Sequence, residues 1–229
     1  MLRLVALLLC SLVVGFVVTA APAPVYKATP SVSWVTGWDK PIDDQGGCRF
    51  DRKGKTLALT VPPGKARYYD VRGGRRDAPC LLREVEGDFR VQVQVSGDFG
   101  PEEGRHRGAG LLVMAGKDGW LLLRGAGRRN AREPAGHRFL GSCAGPFAGA
   151  MTECSYPVES PAKKSYLRLE RRGDRLAMHV SGDGAVWTSM YEQTECKLLK
   201  GMKVGVVATA GPDGGFTAVF DQFELTPLK

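Results

Sequence analysis

Apolar and polar residues alternate strictly in several short segments of the chain. Segment 89–96 reads FRVQVQVS, and segment 166–170 reads YLRLE. A two-residue period places every apolar side chain of an extended strand on the same face. These segments therefore predict half-buried strands of antiparallel sheets.

The same kind of pattern recurs along the chain, with turns between the segments. Further strands are predicted at 57–61, 111–115, 120–124, 176–181, 186–191, 204–208 and 216–225. The chain contains 30 Gly and 14 Pro, and many of them lie between these segments. No segment carries a convincing helical period. About a dozen short strands joined by such turns predict an all-β fold, a two-layer sandwich of two antiparallel sheets.

The first twenty residues have the composition of a secretory signal peptide. Arg3 supplies a positive charge, residues 4–18 are apolar apart from Ser11 and Gly15, and Ala20 offers a small residue before a cleavage site. The apolar run is shorter than the roughly 20 residues that a membrane-spanning helix needs. We expect cleavage after Ala20 or one of the next alanines, no transmembrane segment in the mature chain, and a periplasmic or extracellular location. An uncleaved anchor is the alternative.

Two other stretches depart from the strand pattern. Residues 21–33 are rich in Pro and predict an exposed lead-in before a domain that covers 34–229. Residues 125–164 are rich in Gly, Pro, Ala, Arg and Cys and show little alternation, so we expect a long loop insertion there. Such loops are commonly functional or disordered; the alternatives are a stabilised decoration and a binding loop.

Five cysteines remain after cleavage at Ala20: Cys48, Cys80, Cys143, Cys154 and Cys196. In an exported protein, disulfides are the expected state of cysteine pairs. The odd number allows at most two intrachain bridges and leaves one thiol. We predict a bridge between Cys143 and Cys154, which would close a Gly- and Ala-rich segment, and place Cys48 with Cys80 second.

Neither a cofactor nor nucleic acid is predicted as a partner. No C-x-x-C pair occurs, and the three histidines lie far apart in the sequence, so no metal site is expected. Phosphate-binding loops, dinucleotide fingerprints and nucleophile elbows are absent. The net charge is +8, but the basic residues occur as scattered pairs rather than as a strip interleaved with aromatics. The excess charge is instead compatible with solubility and with attraction to acidic surfaces or polymers.

Six short motifs follow one another in an order that resembles a known family. They are APCLLR (78–83), GDF (87–89), AGLLV (109–113), YLRLERRGD (166–174), SGDG (181–184) followed by Trp187, and FDQF (220–223). Together, over about Trp38 to Leu225, they resemble a bacterial domain of unknown function of the regulation-of-enolase-like type, in the concanavalin A-like lectin and glucanase superfamily. The resemblance implies a jelly-roll β-sandwich whose relatives bind or cleave carbohydrate.

An acidic run near the first of these motifs raises the alternative of a glycoside hydrolase. Glu84, Glu86 and Asp88 alternate, and residues two apart on a strand are separated by about 6.7 Å. Paired carboxylates of glycosidases are roughly 5–9.5 Å apart. Glucanases of the resembled superfamily carry Asp between two Glu, whereas here the order is Glu, Glu, Asp and Gly87 interrupts the strand. A solvent-facing edge that enters a turn is the other interpretation.

A sugar-binding site needs an aromatic face and side chains that hydrogen-bond hydroxyl groups. The candidates on predicted strands are Trp120, Arg124, Arg168, Glu170 and His179. The remaining tryptophans are expected to pack in the core or against turns. We therefore predict an exported, non-catalytic protein whose partner is a glycan or a cell-envelope polymer. The alternatives are a hydrolase that uses the acidic run and a purely structural envelope protein.

Overall fold

The computed structural model of the chain describes residues 34, 36–69, 75–99, 106–115, 118–126, 137–144, 152–157, 164–194 and 201–228. The signal segment, the Pro-rich lead-in and Cys196 lie outside these residues. Regular secondary structure within the described ranges is entirely strand. Within those ranges the structure has no helix that could span a membrane.

The described residues form thirteen strands. They are β1 (Arg49–Lys53), β2 (Thr56–Val61), β3 (Cys80–Val85), β4 (Phe89–Gly97), β5 (Arg107–Ala115), β6 (Asp118–Ala126), β7 (His137–Ala144), β8 (Thr152–Pro157), β9 (Lys164–Arg172), β10 (Arg175–Ser181), β11 (Thr188–Thr194), β12 (Met202–Ala210) and β13 (Phe216–Pro227).

These strands build two sheets. The seven-stranded sheet has the order β1-β2-β13-β4-β9-β10-β11, and the six-stranded sheet has the order β3-β12-β5-β6-β7-β8. Neighbouring strands pair antiparallel in both sheets. The all-β, two-sheet prediction is confirmed.

The core lies between the two sheets. Val91, Val93 and Leu169 of the seven-stranded sheet and Leu111 and Val206 of the six-stranded sheet are fully buried and belong to one cluster. Removing a Val or Leu side chain from water stabilises a fold by roughly 1.5–3 kcal/mol. The alternation that predicted the strands therefore also places their apolar side chains between the two sheets.

An aromatic cluster around Trp34 packs in the core between the sheets. Trp34 is fully buried, and its ring centroid lies 4.6 Å from that of Trp38 and 5.0 Å from that of Phe223. The indole nitrogen of Trp34 donates a hydrogen bond to the Lys55 carbonyl oxygen. The prediction that Trp34 and Trp38 are packing residues is confirmed.

The predicted loop insertion at 125–164 is only partly a loop, because it contains β7 and β8. β7 pairs with β6, and β8 pairs with β7 at the edge of the six-stranded sheet. Neither strand has a clear alternation in sequence. Their partner strand, rather than their own composition, places them in the sheet, since strand preference depends strongly on context.

The structure contradicts the predicted bridge between Cys48 and Cys80, because both thiols are free. Cys48 packs against the core between the sheets, whereas Cys80 belongs to an apolar cluster on the opposite face of β3. Burial raises the pKa of each thiol to about 12, so both stay protonated. In the other pair, Cys143 stands opposite Thr152 and Cys154 opposite Gly141 in the pairing of β7 with β8. The side chains of that pair lie outside the described residues, and their bridge stays a prediction.

A β-bulge in β13 changes which side chains reach the surface. Asp221 pairs with Gln94 and Glu224 with Gln92, so three steps along β13 match two steps along β4. One extra residue reverses the in-and-out phase of a strand. The bulge therefore turns Glu224 outward, at a position that regular alternation would direct into the core.

The bulge holds Gln222 in the left-handed region, at φ 49°. A non-glycine residue is strained there, whereas glycine adopts this conformation readily. We expect Gln222→Gly to raise the free energy of unfolding by about 0.5–1 kcal/mol, measured by urea titration. Gln222→Asn, which also tolerates this conformation, is the matched control and should give a smaller gain. A loss of stability in both variants would contradict the assignment of strain to this residue.

Candidate functional site

The outward face of the seven-stranded sheet carries polar side chains in three rows across the strands; we call it the polar face. The strand register aligns Glu224, Gln92, Arg168 and His179 in the middle row, Thr226, Arg90 and Glu170 in a second row, and Asp221, Gln94, Tyr166 and Ser181 in a third. Each row arises because residues directly opposite one another in neighbouring strands point to the same face.

Hydrogen bonds connect the middle row. The Gln92 amide nitrogen donates to Glu224 Oε2 at 2.8 Å. The amide oxygen of the same Gln92 accepts from Arg168 Nε at 3.2 Å and Nη2 at 2.9 Å. Gln92 thus holds a carboxylate on one side and a guanidinium on the other.

Glu170 in the second row is fully engaged by arginines. Its Oε2 accepts from Arg90 Nε at 2.8 Å, and its Oε1 accepts from Arg172 Nε at 2.7 Å. Burial alone would raise the pKa of Glu170, but the hydrogen bonds from the two arginines outweigh it and hold that pKa below its usual value. Glu170 is therefore an ionised partner in a structural ion-pair network.

A short loop after β10 brings an aromatic ring to the edge of the polar face. The guanidinium carbon of Arg168 lies 3.6 Å from the centroid of the Trp187 ring, a cation–π contact. The indole nitrogen of Trp187 donates to the Gly184 carbonyl oxygen at 3.1 Å. Gly184 has a φ of 81°, and a Cβ there would lie only 3.1 Å from the Tyr166 ring, so both backbone angle and packing favour glycine.

The same loop is held by its own polar side chains. Asp183 Oδ1 accepts hydrogen bonds from the backbone nitrogens of Ala185 and Val186, and from the Ser181 hydroxyl. The Val186 side chain at the tip is 74% exposed. The prediction that Trp187 packs on this turn is confirmed, and its ring also forms part of the polar face.

Burial shifts the pKa values of two groups in the middle row. It raises the pKa of Glu224, against the opposing effect of Arg168 and the hydrogen bond from Gln92. It lowers the pKa of His179, and the nearby Arg168 charge acts in the same direction. Burial therefore favours the neutral form of both groups.

Three of the five predicted binding residues lie together on the polar face: Arg168, Glu170 and His179. Leu167 and Leu169, between them in sequence, are fully buried, as predicted. The structure thus brings together the candidates of β9 and β10.

The other two predicted binding residues lie on a different sheet. Trp120 and Arg124 belong to β6 of the six-stranded sheet, where they pair with Val113 and Ala109 of β5. The five candidates are therefore divided between the two sheets. The side chains of Trp120 and Arg124 lie outside the described residues.

The acidic run begins on one sheet and ends at the other. Glu84 lies on β3, Glu86 follows the end of that strand, and Asp88 precedes β4 of the other sheet. Gly87 turns the chain between the sheets with a φ of 66°. Asp88 Oδ1 accepts a hydrogen bond from the backbone nitrogen of Gly173, so it stabilises the turn between β9 and β10. The three carboxylates are therefore not carried by a single strand.

The middle row and the ring beside it include three residues that the sequence-based site lacked: Gln92, Glu224 and Trp187. Gln92 is visible in retrospect as a polar position of the alternating segment 89–96. Glu224 gives no such signal, because its outward orientation depends on the bulge. Across the described residues, no group of three or more potential metal ligands is found.

No family model matches the chain, and no curated protein matches it. Solved structures with a similar fold do match the chain. A functionally unknown protein from Saccharomyces cerevisiae has a TM-score of 0.63 at 16% identity, with 84% of this chain and 96% of that chain covered.

Two further structures carry descriptive names. A xylan β-1,4-xylosidase from Bacillus halodurans has a TM-score of 0.60 at 14% identity; the match covers 90% of this chain but 41% of the xylosidase. A legume lectin-like domain from Entamoeba histolytica has a TM-score of 0.53 at 10% identity, over 84% of this chain and 91% of that domain. At these identities the likeness shows the fold alone, which is a lectin-like β-sandwich of the concanavalin A-like, jelly-roll type.

Proposed function

We propose that the protein is an exported, non-catalytic binding protein for a glycan or a cell-envelope polymer, and that its ligand lies on the polar face. The observation that carries this proposal is the middle row of Glu224, Gln92, Arg168 and His179, with the Trp187 ring against it. Four adjacent strands at about 4.8 Å spacing make this row roughly 14 Å long. That length accommodates more than one sugar ring.

The chemistry of the row supports a hydroxyl-rich ligand. A carboxylate, an amide, a guanidinium and an imidazole present both donors and acceptors, and the hydroxyl groups of a sugar can pair with either kind. A tryptophan ring offers a surface for the apolar side of a pyranose. Val186 adds exposed apolar surface beside that ring.

The carboxylates of the polar face support binding without hydrolysis. Hydrolysis of a glycosidic bond ordinarily uses two carboxyl groups on either side of the bond. Both oxygens of Glu170 accept hydrogen bonds from arginines. Asp221 uses Oδ1 to accept from the backbone nitrogen of Gln222 and so caps the bulge. Two of the three carboxylates in the rows thus have structural hydrogen-bond partners, which favours binding over hydrolysis.

The finer assignment and the compartment belong to the same proposal. The ordered motifs from about Trp38 to Leu225 support membership of the regulation-of-enolase-like group within the superfamily. One of them, FDQF, contains the bulge that turns Glu224 outward. The apolar segment that follows Arg3 supports export to a periplasm or to the cell exterior.

The proposal is tested with the mature chain on a panel of insoluble and immobilised polysaccharides. Both retained protein and released reducing ends are measured. We expect retention of the protein on at least one polymer with no release of reducing ends. Release above the blank would instead indicate a hydrolase, and retention on none of the polymers would favour a structural role.

A further inference from the structure

We propose that the polymer is an uncharged polysaccharide, and that Gln94 and Tyr166 in the third row bind its hydroxyl groups. This inference rests on the proposed function of the polar face. It names the chemical class of the ligand, and it adds two residues of the third row to the site formed by the middle row.

The first argument is that the charges of the polar face balance one another. The described rows, together with Arg172, carry three arginines and three carboxylates: Arg90, Arg168, Arg172, Glu170, Glu224 and Asp221. These groups also interact, because Glu170 binds two arginines, and the Arg168 charge opposes the burial that raises the pKa of Glu224. An anionic sugar would meet carboxylates as well as guanidinium groups. The rows therefore give no electrostatic preference for an acidic ligand.

The second argument is a hydrogen bond between two uncharged side chains of the third row. The Gln94 amide nitrogen donates to the Tyr166 hydroxyl oxygen, across β4 and β9. Because that oxygen accepts the bond, the hydroxyl proton can be donated elsewhere. Neither this proton nor the Gln94 amide oxygen has a hydrogen-bond partner among the described residues. The pair thus offers one donor and one acceptor, and turning the amide over would exchange the two roles but keep one of each.

A neighbouring donor and acceptor suit a hydroxyl-rich ligand better than an anion. A sugar hydroxyl both donates and accepts hydrogen bonds, whereas an ionised carboxylate or sulfate only accepts them. An anionic group on the pair would therefore face an acceptor that it cannot satisfy. The third row for this reason favours an uncharged sugar over an acidic one.

Packing holds the pair in place without closing it off. Gln94 is only 8% exposed, and a Cβ on Gly184 would lie 3.1 Å from the Tyr166 ring. The buried side-chain oxygens of the described residues that lack a partner do not include the Gln94 amide oxygen, which therefore reaches solvent. Side chains that are already ordered lose little conformational entropy when a ligand binds.

The third argument is that one loop residue links the pair to the aromatic ring. The Gly184 carbonyl oxygen accepts from the Trp187 indole nitrogen at 3.1 Å, and the same residue packs against Tyr166. The indole ring and the phenol hydroxyl are thus held close together. An aromatic face binds the apolar side of a pyranose without using charge, so the pair is placed to bind hydroxyl groups of a sugar on that ring.

The test compares polymers that share a backbone but differ in charge. The probes are hydroxyethyl cellulose against carboxymethyl cellulose, dextran against dextran sulfate, and the neutral polymers of the wider panel. Retention is measured in about 0.5 M NaCl, where a Debye length of roughly 4 Å screens the net charge of +8. We expect retention on at least one neutral polymer, with no charged polymer bound more than tenfold tighter.

Other outcomes separate this inference from the proposed function. Retention on charged polymers alone would overturn the uncharged ligand and leave glycan binding intact. Binding of a charged polymer more than tenfold tighter than of any neutral one would have the same consequence. Retention on no polysaccharide at all would remove both proposals.

A hydroxyl deletion tests the role of the pair. Tyr166→Phe keeps the ring against Gly184 and is expected to weaken binding of the retained neutral polymer by about 3- to 10-fold, the loss of hydrogen bonding between uncharged groups. Tyr191→Phe is the matched control, because it removes a hydroxyl from the same sheet at a residue that packs against the core. It should change binding by less than about twofold. Equal binding by the two variants would overturn the assignment to Tyr166.

A charge deletion tests the class of the ligand from the side of the protein. Arg172→Gln removes a positive charge at the edge of the polar face, where the arginine side chain is 49% exposed. For an uncharged ligand we expect binding to change by less than about twofold. A larger loss in a folded variant would mean that the ligand is held by positive charge and would overturn the inference. Unfolding curves of all variants show whether they are folded.

Discussion

Glu170→Gln is expected to lower the free energy of unfolding by about 3 kcal/mol at neutral pH, because it breaks a largely buried ion pair from one side. The side chains of Arg90 and Glu170 are only 8% and 15% exposed, and their atoms are 2.8 Å apart. The substitution leaves the Arg90 charge buried without its carboxylate. Urea unfolding of the wild type and the variant measures the difference.

The control for this prediction is Glu192→Gln. Glu192 lies 3.7 Å from Arg175, and its side chain is 51% exposed. An exposed pair of this kind contributes at most about 0.2–1 kcal/mol. Similar losses in the two variants would contradict the structural role that we assign to Glu170.

The same residue gives a pH dependence with a defined sign. The pKa of Glu170 is lower in the folded state, so the unfolded chain binds its proton more readily. The stabilisation is therefore present above the unfolded pKa of about 4.3 and disappears as the pH falls through the folded value. We expect the difference between wild type and Glu170→Gln to shrink below about pH 4; a constant difference down to pH 2 would argue against an ionic contribution.

Trp187→Ala is expected to weaken binding of the retained polysaccharide by about 10- to 100-fold, a loss of roughly 1–3 kcal/mol for an aromatic stacking surface. The substitution also removes the ring that restrains Arg168. Affinity electrophoresis in gels that contain the polymer provides the measurement.

Trp187→Phe is the matched variant, since it keeps an aromatic face but loses the hydrogen bond to Gly184. It should retain most of the affinity if stacking is the main contribution. Unchanged binding in Trp187→Ala would remove this ring from the site. Unfolding curves again separate a lost contact from a lost fold.

The fold was predictable because its main signal is local. Segments 89–96 and 166–170 alternate strictly, and in each the apolar positions of the resulting strand are buried. Strands β7 and β8 were not predicted, because their own residues do not alternate clearly. They are strands because they pair at the edge of the six-stranded sheet. Cys48 and Cys80 illustrate a further limit, since sequence spacing does not reveal that β3 directs Cys80 away from the core cluster that Cys48 contacts.

The site was predictable only where it follows from that alternation. Arg168 and Glu170 are outward because Leu167 and Leu169 face the core. Trp120 was grouped with them by residue type, but the strand order places it in the other sheet. Glu224 reaches the face only through the shift in register between Asp221 and Glu224, which regular alternation conceals.

Hydrogen–deuterium exchange of the full mature chain, with and without an oligosaccharide of the polymer that it retains, tests whether the ligand lies on the polar face. We predict slower exchange in segments 164–172 and 175–187, which carry Arg168, His179 and Trp187, and no change in β3 or β12 of the other sheet. Protection of β3 and β12, with unchanged exchange at 164–187, would contradict binding on the polar face.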